Sequence, residues 1–409
     1  MELLRRHYLD RLRQFLDAPA ITAVTGIRRA GKSVLLRQFA AALRDERQVA
    51  YVDKESFAFE PVRTARDLID LVESTTRRDE RRVVIVDEVQ QIADWERAVA
   101  SLNGEENTEV VISGSNATLL SAELATLIAG RYVTLQVFPL TLAEFGDLYR
   151  QRPGAAPEDA ELLRLYLRIG GLPGLLHTDL SDAVVDQMLA DMVSTIAVRD
   201  VIRRHRIRDV ALFEAILRFA VDSVGSLVSA KRIADFLKGQ RRTTAVDTVL
   251  NYLAHLADAF LLTPVSRFDL RGRRLLQVNQ KHYLGDVGLR NGIVGYREAD
   301  IGGVLENLIF LELRRRGYLV TVGVAGSQEI DFVAERRSGR CYVQVAYLLE
   351  SSATIERELS AFSGIRDAYP RVLLTLDPHQ PADFQGVRHQ SLSDFLRGAP
   401  LGGAERDGP

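Results

Sequence analysis

Gly26-Ile27-Arg28-Arg29-Ala30-Gly31-Lys32-Ser33 is the stretch whose reading decides the fold. It matches G-x-x-x-x-G-K-[ST] in full. Before it stands an apolar, β-branched run, Ile21-Thr22-Ala23-Val24-Thr25, and after it a helical pattern that begins at Val34 and reads VLLRQFAAAL. A glycine loop between a strand and a helix N-terminus turns backbone N–H groups inward, and the helix dipole adds positive potential at the same point. In that geometry the loop from Gly26 to Val34 would cradle the phosphates of ATP. Lys32 would reach the β and γ phosphates, and the Ser33 hydroxyl would hold Mg2+, which takes few protein ligands. At average residue frequencies such a pattern arises by chance in on the order of one per cent of chains this long. The strand before it and the helix after it make chance rarer still.

Working outward, the first 150 residues alternate short apolar runs with helical patterns. The runs are ITAVT, VAYVD, RVVIVD, EVVISGS and RYVTLQV, each fit for a strand buried on both faces, with stretches between them long enough for crossover helices. This predicts a parallel α/β nucleotide-binding sheet. Val83-Val84-Ile85-Val86 runs into Asp87-Glu88. Asp87 would hold Mg2+ through water, and Glu88 is placed to polarise a water attacking the γ phosphate. Without the glycine loop, the same residues would read equally well as a strand ending in a solvated acidic turn. A third strand, Val110-Val111-Ile112, ends in Ser113-Gly114-Ser115-Asn116, at the edge where a parallel sheet presents its ligand. Ser115 or Asn116 could sense the γ phosphate.

Composition narrows the remaining classes. The chain has 409 residues, enough for two to four domains, and 46% hydrophobic with 26% charged residues is an ordinary globular balance. A net charge of −2 gives no global attraction for nucleic acid, so any such contact must be local. Cys341 is the single cysteine and the seven histidines show no ligand spacing, which argues against disulfides and zinc and for a cytoplasmic location. The N-terminus lacks the apolar core of an export signal, and no later run is long enough to span a membrane.

After Pro139 the periodicity turns helical, around 158–169 and 181–203, on either side of Gly170-Gly171-Leu172-Pro173-Gly174. Amphipathic stretches at 208–224, 229–237 and 243–257 lead into two strands around a turn at Asp269 to Arg273, the order of a winged helix. From Leu305 onward a helix, three strands, a helix near 353–367 and VLLTL form a second α/β module. The predicted organisation is an ATPase core over 1–150, a helical subdomain over 151–207, a winged helix over 208–285, an α/β domain over 300–390 and a disordered tail over 398–409.

The three segments of the first 120 residues resemble AAA-type ATPases. Ala129-Gly130-Arg131-Tyr132, Phe138-Pro139-Leu140, Glu144-Phe145, Tyr166-Leu167, Gly170-Gly171-Leu172-Pro173, Arg199-Asp200-Val201, Asp286-Val287-Gly288-Leu289, Glu306-Asn307, Glu329-Ile330-Asp331-Phe332 and Gln344-Val345 extend the likeness. They are similar to bacterial and archaeal AAA-like ATPases whose C-terminal half is the domain DUF4143. The resemblance implies an arginine completing the γ-phosphate site, matched by Arg131, and a winged helix followed by a restriction-endonuclease-like fold. In active nucleases of that fold a helix glutamate, a strand aspartate and an E-x-K hold magnesium and activate water. Glu306 and Asp331 match the first two, but the last reads Gln344-Val345-Ala346, which removes a metal ligand and a lysine. A scaffold kept for binding is therefore expected, against a nuclease that uses Glu329 as substitute ligand.

Lys231, Arg232, Lys238, Arg241 and Arg242 crowd two helices of the winged-helix segment, and Arg267, Arg271, Arg273 and Arg274 crowd its hairpin. Either they meet the phosphates of double-stranded DNA, or they form a solvated face balanced by Asp235, Asp247 and Asp269. The function expected is a slow, magnesium-dependent ATPase whose nucleotide state controls the C-terminal module. The alternatives are an ATP-gated nuclease and a nucleotide-dependent switch for a protein partner, with a homo-oligomer left open.

Overall fold

The computed structural model describes residues 2–16, 18, 20–117, 132–337, 339–377 and 380–403. The chain divides into two compact units, Met1–Pro139 with Asp258–Phe260 and Leu140–Ala257 with Leu261–Pro409.

In the first unit, β1 (Ile21–Thr25), β2 (Gln48–Asp53), β3 (Arg82–Asp87), β4 (Thr108–Ser113) and β5 (Tyr132–Gln136) form one sheet in the order β2-β3-β4-β1-β5. Every pairing in it is parallel. The helices are α1 (Arg6–Phe15), α2 (Lys32–Leu43), α3 (Ala65–Thr75) and α4 (Trp95–Asn103). β1 and β3 are buried along their whole length, which explains why both read as unbroken apolar runs instead of alternating ones. Ile21, Ala23, Val84, Val86, Val110 and Ile112 pack with Leu68 and Val72 of α3 and Ala98 and Leu102 of α4. Each fully buried valine, leucine or isoleucine contributes roughly 1.5–3 kcal/mol. α3 starts on a capping box, in which Thr64 accepts from the Asp67 N–H and the Asp67 carboxylate accepts from the Thr64 N–H. Because β4 lies between β1 and β3, the glycine loop and the acidic strand end are two strands apart on one edge of the sheet, where the strand order reverses.

The far end of β3 carries a feature that the apolar pattern hides. Arg82 is fully buried and donates to Thr108 Oγ1 at 2.9 Å, Thr76 Oγ1 at 3.1 Å and Glu105 at 2.6 Å, so its charge is completely matched.

The second unit holds a nine-stranded sheet in the order β13-β14-β12-β11-β10-β9-β7-β8-β6. Its strands are β6 (Leu227–Val228), β7 (Leu262–Asp269), β8 (Arg274–Leu284), β9 (Leu319–Ala325), β10 (Gln328–Arg336), β11 (Gly339–Val345), β12 (Arg371–Thr375), β13 (Asp383–Phe384) and β14 (Val387–Ser391). Helices Val210–Asp222, Ala230–Gly239 and Val246–Asp258 precede the β7–β8 hairpin, as expected.

Three boundaries differ from the sequence expectation. The first unit ends at Pro139, short of residue 150, because the helix Leu142–Tyr149 turns its apolar face to the helix Asp159–Ile169. There Phe145 meets Tyr166 edge-on at 5.2 Å, and the Tyr166 hydroxyl donates to Leu140 O at 2.7 Å. The hairpin expected to be a separate wing is continuous with the strands of the 300–390 segment, since Arg267–Asp269 of β7 pair in parallel with Val322–Val324 of β9. Residues 398–403, expected to be disordered, are packed. Leu401 is buried, Arg316 donates to Ala399 O at 2.6 Å, and Gly402 N donates to Gln390 Oε1 at 2.8 Å.

Candidate functional site

The glycine loop leaves β1 at Gly26, whose φ is +137° and whose added Cβ would lie 2.2 Å from Val137 O, so only glycine fits between the loop and the end of β5. The loop closes at Gly31, left-handed at φ +96° and N-cap of α2, so the first N–H groups of that helix face the loop. Lys32 is buried, and its ammonium donates to Gly26 O at 2.8 Å and Ile27 O at 3.2 Å. The ammonium is thus folded back across the mouth of its own loop. Arg28 pairs with Glu55 at 2.9 Å, Arg29 holds a left-handed backbone at φ +70°, Ala30 is buried, and Ser33 is partly exposed at the first turn of α2.

On the same sheet edge, Asp87 ends β3 with no exposed surface. Its Oδ1 accepts from the Ser113 hydroxyl, while its buried Oδ2 has no well-formed hydrogen bond. The Tyr51 hydroxyl lies close by, its ionisation suppressed by burial and then by the Asp87 charge. Glu88 follows in a left-handed conformation at φ +56°, uncommon for a residue with a side chain. Its N–H donates to Ser113 Oγ at 3.1 Å, and its carboxylate accepts from Gln90 and, at 3.4 Å, from Ser115 Oγ. Asn116 is buried at the end of the same segment.

The structure therefore brings Gly26 to Ser33, Asp87, Glu88, Ser115 and Asn116 to one edge. A strand-end carboxylate with an unsatisfied buried oxygen, a second carboxylate beside it and an ammonium on a glycine loop fit a phosphate ester carrying a divalent cation. Arg131 lies outside the described residues. Sequence reasoning missed Ser113, which two positions before Ser115 ties Asp87 to the backbone of Glu88. Its only signal was its place as the last residue of the strand.

The second unit holds another cluster of charge. Lys281 of β8 is 3% exposed, and its Nζ lies 2.8 Å from Glu306, 2.9 Å from Glu329 and 3.5 Å from Asp331. Burial alone would lower the pKa of the ammonium, yet the three carboxylates hold it raised. Burial pushes Glu306 and Asp331 up as well, against the opposing pull of Lys281. Asp331 sits where the β9–β10 register shifts, between Ile330 and Val333, and its Oδ2 accepts from Val345 N at 2.9 Å. Gln344 stands in the expected position, accepting from Asp331 N at 3.2 Å and donating to Glu358 at 3.0 Å. The sequence signalled Glu306, Glu329, Asp331 and Gln344 but not Lys281, which comes from another strand.

Other quoted motifs prove to be neighbours. Asp286 accepts from Gly171 N at 2.7 Å and Gly288 N at 2.9 Å, and a Cβ on Gly288 would lie 2.0 Å from Ile169 O. Asn307 both accepts from Leu284 N and donates to Leu284 O. Arg199-Asp200-Val201 lies in a π-helical segment, Ile196–Ile202, with Asp200 buried. These motifs join elements within the second unit.

Residues 18–146 match the family described as an AAA domain, and residues 160–300 match a domain of unknown function, DUF8612, where the motifs had pointed to DUF4143. Among solved structures, the Walker-type ATPase of Pyrococcus abyssi has a TM-score of 0.53 over 71% of this chain and 96% of that one, at 17% identity, a likeness of fold. Sheet order, glycine loop and acidic strand end together define an AAA-type P-loop domain over residues 18–146. An uncharacterized protein of Haemophilus influenzae is 33% identical over 397 residues, 96% of this chain and 98% of that protein, and the chain belongs to its family. An uncharacterized protein of Methanocaldococcus jannaschii is 27% identical over 84% of this chain and 78% of its own length. No described helix is long and apolar enough to cross a membrane.

Proposed function

We propose that the protein binds ATP with Mg2+ at the loop Gly26 to Val34, hydrolyses it slowly, and uses nucleotide state to control DNA contact by its C-terminal unit. The observation that carries the reading is the pairing, on one sheet edge, of a buried ammonium on a glycine loop with the half-satisfied carboxylate of Asp87. Lys32 would leave the loop carbonyls to pair with phosphate, and Ser33 and Asp87 would hold the cation, which offsets phosphate charge when bound. Glu88 would take the proton of the attacking water, and Asn116 and Arg131 would contact the γ phosphate. Arg241, Arg242, Arg271 and Arg273 would meet DNA phosphates. The test is Lys32→Ala, which removes the charge together with its bonds to Gly26 O and Ile27 O. Calorimetry should show ATP binding in the wild type and none in a folded variant, and wild-type affinity in that variant would refute the site.

A second reading, an ATP-gated nuclease, draws on Lys281, because it supplies the lysine that Ala346 lacks. The distances favour the binding scaffold. An ammonium within 2.8–3.5 Å of all three carboxylates stands where a divalent cation would have to sit.

A further inference from the structure

We infer that the second unit carries a binding groove for single-stranded nucleic acid, formed at the end of β7 and the turn after it, at β11 and along residues 364–371. Two cavities meet there, of about 680 and 710 Å3, and they share Arg340 and Tyr369 in their walls. Each has the size of a small-ligand pocket, roughly 300–1,000 Å3. Arg271, Arg273 and Arg366 line the first, and Arg336, Arg371 and Arg388 the second. With Arg340 that makes seven arginines against two aspartates, Asp367 and Asp383, in a chain whose net charge is −2. Among the described residues, no lysine or histidine lines either cavity. Guanidinium is the cation whose planar fork matches phosphate and whose face stacks on bases.

The arginines divide by role. Arg371 is spent on the fold, donating to Ile365 O at 3.4 Å and Asp367 O at 3.3 Å. Arg340 pairs with Glu335 and stands over Phe268, Tyr369 and Tyr342 at 5.0, 5.7 and 6.0 Å, holding those rings in the wall. Arg336 stands over the Tyr318 ring at 4.7 Å, while Arg271, Arg273, Arg366 and Arg388 are exposed and give the wall its outward charge.

The aromatic rings decide between anions. Tyr369 stays 46% exposed at the junction of the two cavities, and Phe268 is only partly buried. Duplex DNA hides its base faces and would use the arginines alone. A cavity wall that alternates guanidinium with exposed ring fits unpaired bases, which stack on aromatic faces while their phosphates meet the cations. The inference does not rest on the duplex contact proposed above, with which it shares only Arg271 and Arg273 of the hairpin turn.

The test uses the full chain, fluorescein-labelled oligo-dT of 20 nucleotides, a duplex of equal length and phosphatidylglycerol vesicles. Oligo-dT should bind in preference to duplex. Loss of one base stack in Tyr369→Leu should weaken it about tenfold, with Tyr369→Phe restoring affinity. The Arg366→Ala/Arg388→Ala variant should flatten the log–log salt dependence by about 1.4, near 0.7 for each phosphate contact on a single strand. Arg241→Ala/Arg242→Ala reports on duplex binding, which belongs to the reading of the preceding subsection. Unchanged oligo-dT affinity in both groove variants would overturn the inference. So would binding to the vesicles but not to oligo-dT, which would make the groove a site for lipid headgroups.

Discussion

Glu88 shows how much a single position depends on its neighbours. A non-glycine residue at φ +56° is held there because Ser113 accepts from its N–H while Gln90 and Ser115 grip its carboxylate. Conformations of this kind cost of order 1–3 kcal/mol and persist where surrounding contacts fix them. The side chain is thereby aimed independently of Asp87, whose Oδ1 the same Ser113 hydroxyl occupies. Glu88→Gln keeps size and one acceptor but removes the base. The expected result is retained ATP binding with single-turnover hydrolysis slowed by about 10² to 10⁴. An unchanged rate would move the water-positioning role to Asp87 or beyond. Sequence alone marked Glu88 by its place after an apolar strand, whereas Ser113 was one polar residue among several. What distinguishes it is the β3–β4 register, in which Ile112 stands beside Val86.

At the scale of elements, the parts that the sequence showed best are those whose pattern is self-contained. Helices with a 3.6-residue stripe, such as Asp159–Ile169 and Ala230–Gly239, follow from local residues. β14 (Val387–Ser391) was not legible, since only Val387 is buried and the rest of VRHQS is polar. It is a strand because β12 offers it a parallel edge, Val372 to Arg388 through Thr375 to Ser391. The joint between the loop at Gly171 and the helix Val287–Val294 is likewise tertiary. Asp286 caps that helix through Gly288 N and spans to Gly171 N. Burial raises its carboxyl from 3.8 to about 6, against the N–H groups of Gly171, Gly288 and Leu289. The folded state therefore binds the proton more readily than the unfolded chain between pH 3.8 and about 6, and stability from this group falls as pH rises through that window. The drop amounts to about 3 kcal/mol, taking 1.36 kcal/mol per pKa unit, and levels off above the folded value. Urea unfolding of wild type and Asp286→Asn isolates it. The stability difference between them should shrink from pH 4 to pH 7 by about that amount, and a pH-independent difference would refute it.

For the whole molecule, the question is whether the carboxylate cluster around Lys281 can cut DNA. The ammonium matches charge that a divalent cation would otherwise neutralise, and at 3% exposure water cannot screen it. Clean wild-type protein with Mg2+ or Mn2+, with or without ATP, should therefore leave plasmid DNA uncut. Nicking that stops with Asp331→Ala would establish the gated nuclease instead. By itself the sequence determined the P-loop, the acidic strand end, the parallel α/β core and the basic and acidic residues of the second half. Each of these rests on residues close together in the chain, where spacing and periodicity are a physical signal. Only the tertiary structure decided that Lys281 lies among Glu306, Glu329 and Asp331, that Ser113 serves both Asp87 and Glu88, and that the expected wing continues into the larger sheet. It also gathered Arg273, Arg340 and Arg366 around one groove. These contacts join residues tens of positions apart, and what fixes them is strand pairing and burial, which no local pattern encodes.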